Sequence, residues 1–137
     1  MDPSQMQSRC PGNTLIGIGC LPHYTLIFSR WSRSWNSGTA DIVPQMGSEV
    51  WGVLYELTLD SLRRVDTFAD YPNSYERLDI SVHTGGEVIP ALTYVAIRQG
   101  MFAPSKAYLD KMIVGATKSN IPESYLSFLR TIETHNE

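Results

Sequence analysis

Two carboxylates, Asp66 and Asp70, lie four residues apart near the end of a predicted helix, and they are the first candidates for chemistry. Side chains at this spacing share one face of a helix. The negative end of the helix dipole disfavours carboxylates there, so helix stability alone would not select them. Such a pair is suited to moving protons between reacting groups, and the alternative is a pair of solvated surface acids.

The stretch before these acids predicts a buried strand that leads into a helix. Val50 to Leu57 is apolar almost throughout and rich in β-branched and aromatic residues, which is typical of a strand buried on both faces. Thr58 is a suitable N-cap for the helix. Apolar residues then recur at helical spacing, at Leu59, Leu62, Val65 and Phe68. Pro72 marks the end of this helix.

The remaining elements predict a mixture of strands and helices without regular alternation. We expect about six strands and four helices, which favours an α+β single domain over residues 1–137. Asp2 caps a helix that runs from Pro3 to about Arg9 and stops at Pro11. The other predicted strands cover residues 14–21, 24–28, 38–44, 76–83 and 87–97, with Gly85-Gly86 as a hairpin turn between the last two. Two further helices open near Pro104-Ser105 and at Pro122, and Asn120 suits the left-handed C-cap of the first.

Composition excludes several classes of function. The formal net charge of -3 disfavours bulk attraction to nucleic acid or to an anionic membrane. No apolar run approaches the ~20 residues of a membrane span, and no secretory signal follows Met1. Cys10 and Cys20 are interpreted as reduced thiols in a cytoplasmic protein. No metal site is expected, because the three histidines lie far apart in different elements: His23, His83 and His135.

Two tryptophans, Trp31 and Trp35, alternate with arginines in a segment interpreted as a loop over residues 29–37. Such a segment could stack on single-stranded nucleic acid. We favour tryptophans that fold back onto the sheet, given the acidic net charge. A third interpretation is a surface for binding another protein.

An ordered set of motifs runs along nearly the whole chain. The central motif is Val50-Trp51-Gly52-Val53-Leu54-Tyr55-x-Leu57, and it is followed by Val65-Asp66, Tyr75, Thr93-Tyr94, Pro104-Ser105-x-x-Tyr108, Gly115-Ala116 and Ile121-Pro122-x-x-Tyr125. The upstream motifs are Arg9-x-Pro11, Leu21-x-x-Tyr24-x-Leu26-x-Phe28 and Gly38-x-Ala40-x-Ile42-x-Pro44. In this order, the motifs resemble the γ-glutamylcyclotransferase family.

This resemblance implies a small mixed β-barrel flanked by helices, and an enzyme that works without a cofactor. The implied reaction is a lyase reaction that cyclises a γ-glutamyl amine or peptide to 5-oxoproline and releases the amine. The implied partner is therefore a small γ-glutamyl molecule. Tyr108 would close over this substrate, and the resemblance also assigns Tyr94 and Gly38 to substrate binding.

The sequence departs from the family pattern at the position of the catalytic acid–base residue. Ala69 stands where the family has glutamate, and alanine cannot move a proton. Asp70 is the nearest substitute, although it lies one residue further on, rotated by about 100° if still helical. Two hypotheses follow: an enzyme that uses Asp70 as a displaced base, or a non-catalytic relative that binds a small amino-acid-like ligand.

A second departure concerns the family's Tyr-Gly-Ser-Asn loop and the strand before it. Met1 aligns directly after that loop, so either an internal methionine has been read as the start or the chain begins here. Without that central strand, neighbouring strands would expose unpaired N–H and C=O groups. We expect such an open barrel edge to allow a second copy of the chain to pair with it.

Overall fold

The computed structural model describes residues 3–10 and 12–135 as four strands and four helices. In chain order the elements are α1 (Pro3–Arg9), β1 (Thr14–Ser32), β2 (Ser37–Glu56), α2 (Leu59–Phe68), β3 (Tyr75–Thr84), β4 (Glu87–Ala96), α3 (Lys106–Lys118) and α4 (Glu123–Arg130). The predicted α+β class is therefore confirmed. None of the described helices combines the length and the apolar character needed to cross a bilayer.

The four strands form one sheet in the order β2-β1-β3-β4. Strands β1 and β2 make a long hairpin, β3 and β4 make a second hairpin, and the pair Cys20 and His83 joins the two. Gly85 and Gly86 form the second turn at φ values of 56° and 80°, which glycine adopts without strain, as predicted. All of these described pairings are antiparallel, so the sheet is antiparallel rather than mixed.

Strands β1 and β2 each replace two of the predicted shorter strands, because neither proline-containing segment interrupts the ladder. His23 adopts a left-handed φ of 63° and creates a bulge that carries β1 past Pro22. Pro44 pairs with Tyr24 inside β2, which is an edge strand and tolerates a missing N–H group. The predicted loop over residues 29–37 is accordingly too long, since Trp31 still belongs to β1.

The helix boundaries follow local signals. The Thr58 side chain accepts the Ser61 N–H at 3.1 Å at the start of α2, and Ser105 accepts the Tyr108 N–H at 3.1 Å at the start of α3. Asn120 adopts a φ of 61° after α3, as predicted. The predicted cap Asp2 and the predicted stop Pro11 lie outside the described residues.

The core sits where α3 and α4 pack against the β1–β2 hairpin. Its buried members come from the C-terminal helices and the turn between them: Ala116, Ile121, Tyr125, Leu126 and Leu129. Ile18, Leu26 and Trp51 of the hairpin pack against them, half-buried. This arrangement places one face of β2 next to α3 and α4.

A buried carboxylate, Asp41, ties three strands together. Its Oδ2 atom accepts the Ser29 hydroxyl at 2.8 Å and the Arg98 Nε–H at 2.9 Å. Its Oδ1 atom accepts the backbone N–H of Ala96 at 2.9 Å, at the end of β4. The outer strands β2 and β4 are thus joined through a side chain.

Pairing of a second copy of the chain along either outer strand stays a prediction.

Candidate ligand site

A cavity of about 400 Å³ opens between β2, α3 and α4. The lining side chains come from six parts of the chain and are mainly apolar or aromatic: Gln5, Arg9, Leu26, Trp35, Ala40, Val50, Trp51, Tyr108, Lys111, Met112 and Tyr125. We call this space the Tyr108 cavity. Its size is within the range of small-molecule pockets.

Tyr108 is held in place by contacts on both its hydroxyl and its ring. The hydroxyl oxygen accepts the Ala40 N–H at 3.1 Å. The ring packs edge-on against Trp35 at a centroid distance of 5.4 Å and against Phe28 at 6.3 Å. Burial raises the pKa of Tyr108, so the hydroxyl keeps its proton at neutral pH and can donate it to a ligand.

The charged residues in the cavity wall are both cations, Arg9 and Lys111, and no Asp or Glu lines the cavity within the described part of the chain. Both cationic residues are solvent-exposed, and we call the part of the cavity that they line its mouth. The guanidinium carbon of Arg9 stands 4.8 Å from the centre of the Phe68 ring. The electrostatics of the cavity therefore suit a ligand that carries negative charge.

Asp66 is engaged in an ion pair beside α2 and is not among the residues that line the Tyr108 cavity. Arg77 donates to both of its carboxylate oxygens, with Nε at 3.2 Å from Oδ1, and the Tyr94 hydroxyl donates to Oδ1 as well. Burial raises the pKa of Asp66, but the hydrogen bonds from Arg77 and Tyr94 outweigh it and lower that pKa overall. Burial and the bond to Asp66 raise the pKa of Tyr94 far above its ordinary value. We call these three residues the Asp66 cluster.

Asp70 lies in the turn that follows α2. Its carboxylate accepts the Ser74 hydroxyl at 2.6 Å and the Asn73 side-chain N–H at 3.4 Å. These hydrogen bonds lower the pKa of Asp70, which makes it a weak base. Asp70 has a left-handed φ of 51°, while Ala69 before it stays near helical geometry at a φ of -81°. Neither residue lines the Tyr108 cavity.

Comparison with known proteins assigns this architecture to a family. Residues 49–129 match the AIG2-like family. The chain belongs to that family. It is 25% identical over 134 residues to γ-glutamylcyclotransferase from Bos taurus and 27% identical over 134 residues to that from Homo sapiens, covering 93% of this chain and 71% of each relative.

Solved structures of similar proteins agree on the fold. A structure named γ-glutamyl cyclotransferase superposes with a TM-score of 0.93 at 24% identity, over 99% of this chain and 84% of that one. An uncharacterized human protein superposes with a TM-score of 0.90 at 25% identity, over 96% of this chain and 82% of that one. The α+β architecture is thus shared with γ-glutamylcyclotransferases.

In this AIG2-like chain the residues predicted to form one site lie in different places. Tyr108 lines the cavity, while Tyr94 lies in the Asp66 cluster. Gly38 lies against the backbone at residues 102–103, where an added Cβ atom would stand 1.9 Å from the Phe102 carbonyl oxygen. The binding roles of Tyr94 and Gly38, and the catalytic role of Asp70, stay predictions.

Several cavity residues of this family member were not predicted as site residues. Lys111 lies one helical turn from Tyr108 on α3, and this spacing could have identified it as a site residue. Trp35 reaches Tyr108 from a turn 73 positions earlier in the chain, so no local pattern points to the contact. Trp31 packs instead on Phe102, at a ring-centroid distance of 6.0 Å.

Among the described residues, no group of three or more His, Cys, Asp or Glu could hold a metal ion.

Proposed function

We propose that this protein binds a small γ-glutamyl or related amino-acid-like compound in the Tyr108 cavity. The observation that carries the proposal is the composition of the wall, in which the described residues supply aromatic rings and two cations but no carboxylate. Lys111 and Arg9 suit a ligand carboxylate, and the Tyr108 hydroxyl can donate a hydrogen bond to a carbonyl or carboxylate oxygen. A cytoplasmic location is proposed as well, and the free thiols of Cys10 and Cys20 support it.

A second candidate is catalysis of 5-oxoproline formation, which is favoured by the names of the bovine, human and mouse relatives. In that reaction the substrate's α-amine attacks its γ-carbonyl carbon, a C–N bond forms, and the bond to the leaving amine breaks. A base must take a proton from the attacking ammonium group and return one to the leaving amine. Asp70 is the proposed base in this version, and its lowered pKa argues for a slow reaction.

The hydrogen bonds of Asp66 and Asp70 favour binding over turnover, because they lower the pKa of both carboxylates. A general base must come within hydrogen-bond reach of the proton that it abstracts. The Asp66 carboxylate is occupied by Arg77 and Tyr94, and the Asp70 carboxylate by Ser74 and Asn73. These donors stabilise the ionised form of each carboxylate and so weaken it as a base.

Binding and turnover are separated by two measurements on the same protein. Isothermal titration calorimetry with γ-glutamyl dipeptides measures binding, and chromatographic detection of 5-oxoproline measures turnover. We expect the wild-type chain to bind at least one dipeptide and to release no 5-oxoproline above the uncatalysed rate. Release by the wild type would overturn the binding-only version and support the second candidate. Absence of binding to every dipeptide would contradict both, and would favour a protein-binding role for the exposed tryptophan segment.

An Ala69→Glu variant tests whether a missing base is the reason for low turnover. General acid–base catalysis contributes about 10²- to 10⁴-fold in rate. If the carboxylate alone is missing, this variant should gain 5-oxoproline release by about 10²-fold. Thr67→Glu is the matched control, because it adds the same side chain to an exposed position of α2. An equal gain in both variants would show that position 69 has no special relation to the site.

A further inference from the structure

The apolar part of the Tyr108 cavity contains more surface than a small amine would cover. Leu26, Val50 and Met112 supply aliphatic contacts, and Trp35 and Trp51 supply aromatic rings. The side-chain N–H of Trp51 donates to Glu49 Oε1 at 3.1 Å, so this residue offers its ring rather than a hydrogen bond to the cavity. The interior of the cavity is consequently a surface for apolar and aromatic groups.

The two cations of the cavity wall are solvent-exposed. Lys111 and Arg9 are exposed, whereas Met112, the neighbour of Lys111 on α3, is half-buried. Arg9 already stands over the Phe68 ring, which leaves the flexible ammonium group of Lys111 as the better partner for a ligand carboxylate. A ligand that satisfies both regions carries an anionic end at Lys111 and a bulky apolar group inside.

We infer that the amine side of the bound compound is a large aromatic amino acid. This inference rests on the proposed function, and it names the class of ligand: γ-glutamyl conjugates of phenylalanine or tryptophan rather than of alanine or glycine. The aromatic side chain lies among Trp35, Trp51 and Met112. A cavity of about 400 Å³ accommodates such a group, whereas a methyl side chain leaves most of the apolar wall uncovered.

Calorimetric titration with γ-glutamylphenylalanine and γ-glutamylalanine tests the inference. Pockets discriminate about tenfold or more for one methylene group, so the phenylalanine compound should bind at least about tenfold more tightly. Equal dissociation constants would overturn the inference and leave the proposed function intact. Failure of both compounds to bind would overturn the proposed function itself, so the two failures are distinguishable.

A pair of tryptophan variants tests whether the preference for γ-glutamylphenylalanine over γ-glutamylalanine arises in the Tyr108 cavity. Trp35 and Trp31 have nearly equal exposed fractions, 37% and 38%, but Trp35 lines the cavity and Trp31 packs on Phe102 and His135. Trp35→Ala should reduce the preference for the phenylalanine compound to about threefold or less, while Trp31→Ala should retain it. If Trp35→Ala does not fold, Trp35→Leu should give a preference between that of the wild type and equal binding. An unchanged preference in the Trp35 variant that folds would overturn the inference.

Discussion

Two regions of this molecule, the Asp66 cluster and the Tyr108 cavity, use charged side chains in opposite ways. In the Asp66 cluster a carboxylate, a guanidinium group and a tyrosine hydroxyl satisfy one another beside α2. In the Tyr108 cavity Lys111 and Arg9 stand at the edge of an apolar wall that contains no carboxylate among the described residues. The first arrangement stabilises the fold, and the second leaves charge available for a ligand. A group near the end of α2 is therefore not automatically part of the binding site.

The largest effect on stability is expected from removing the carboxylate of the Asp66 cluster. Asp66→Ala leaves Arg77 and the Tyr94 hydroxyl without their acceptor, and hydrogen bonds to charged groups are among the stronger ones. We expect the Tm to fall by about 5 °C. The matched control is Asp60→Ala, because Asp60 is 79% exposed on the same helix and its 3.6 Å pair with Arg64 is solvated.

The same variants test whether the Asp66 cluster is separate from the Tyr108 cavity. Ligand affinity measured by calorimetry should be the same in Asp66→Ala as in the wild type at a temperature where both are folded. A loss of affinity in Asp66→Ala with normal affinity in Asp60→Ala would join the Asp66 cluster to the binding site and break the comparison.

The Asp66 cluster also predicts a dependence of stability on pH. The pKa of Asp66 is lower in the folded state than in the unfolded chain, whose aspartates titrate at about 4. The stabilising contribution is therefore complete above about pH 4 and is lost as the pH falls through the lower folded pKa. Denaturant titrations at pH 7, 5 and 3 should show the difference between wild type and Asp66→Asn shrinking only in the last step. A constant difference at all three values would exclude this linkage.

Local signals in the sequence predicted the parts of the fold that depend on neighbouring residues. Thr58 and Ser105 cap their helices because a side-chain oxygen at the N-cap can accept the backbone N–H group three residues later. This hydrogen bond depends on neighbouring residues and not on the rest of the fold. The continuity of β1 depends on the left-handed backbone of His23, which many histidines do not adopt. That bend is decided by the partner strand, so the sequence alone suggested a break.

The candidate site was predictable only where a family motif or a helical spacing marked it. Tyr108 was found by resemblance, and its contact with Ala40 across 68 positions agrees with a placement next to β2. The contact between Trp35 and Tyr108 depends on how the β1–β2 turn folds over α3, which no short pattern encodes. The spacing of Asp66 and Asp70 made them candidates for proton transfer. Their carboxylates instead accept hydrogen bonds from residues outside the helix, Arg77 and Ser74, which the spacing does not predict.

A moderate effect is expected from the cation at the mouth of the cavity. Lys111→Gln keeps a polar side chain, one atom shorter, and removes its charge, so affinity for a carboxylate-bearing ligand should fall about fivefold. Lys106→Gln is the matched control on the same helix, since its side chain is 80% exposed and pairs with Asp110 at 2.7 Å. The loss should also diminish at high salt, because exposed charges are screened. Equal affinity in the wild type and Lys111→Gln would remove the electrostatic part of the proposal.

The smallest effect is expected at Asp70, where backbone geometry and side-chain bonds oppose each other. Asp70→Gly loses the bonds to Ser74 and Asn73 but relieves the left-handed φ of 51°, so the Tm should change by about 1 °C. Asp70→Ala loses the same bonds and adds strain, so it should be the less stable of the two. Ligand affinity should be unchanged in both, because Asp70 lies outside the cavity wall. If Asp70→Gly instead abolished a measurable release of 5-oxoproline while leaving affinity and Tm intact, Asp70 would be the displaced base, and the end of α2 and the Tyr108 cavity would form one site.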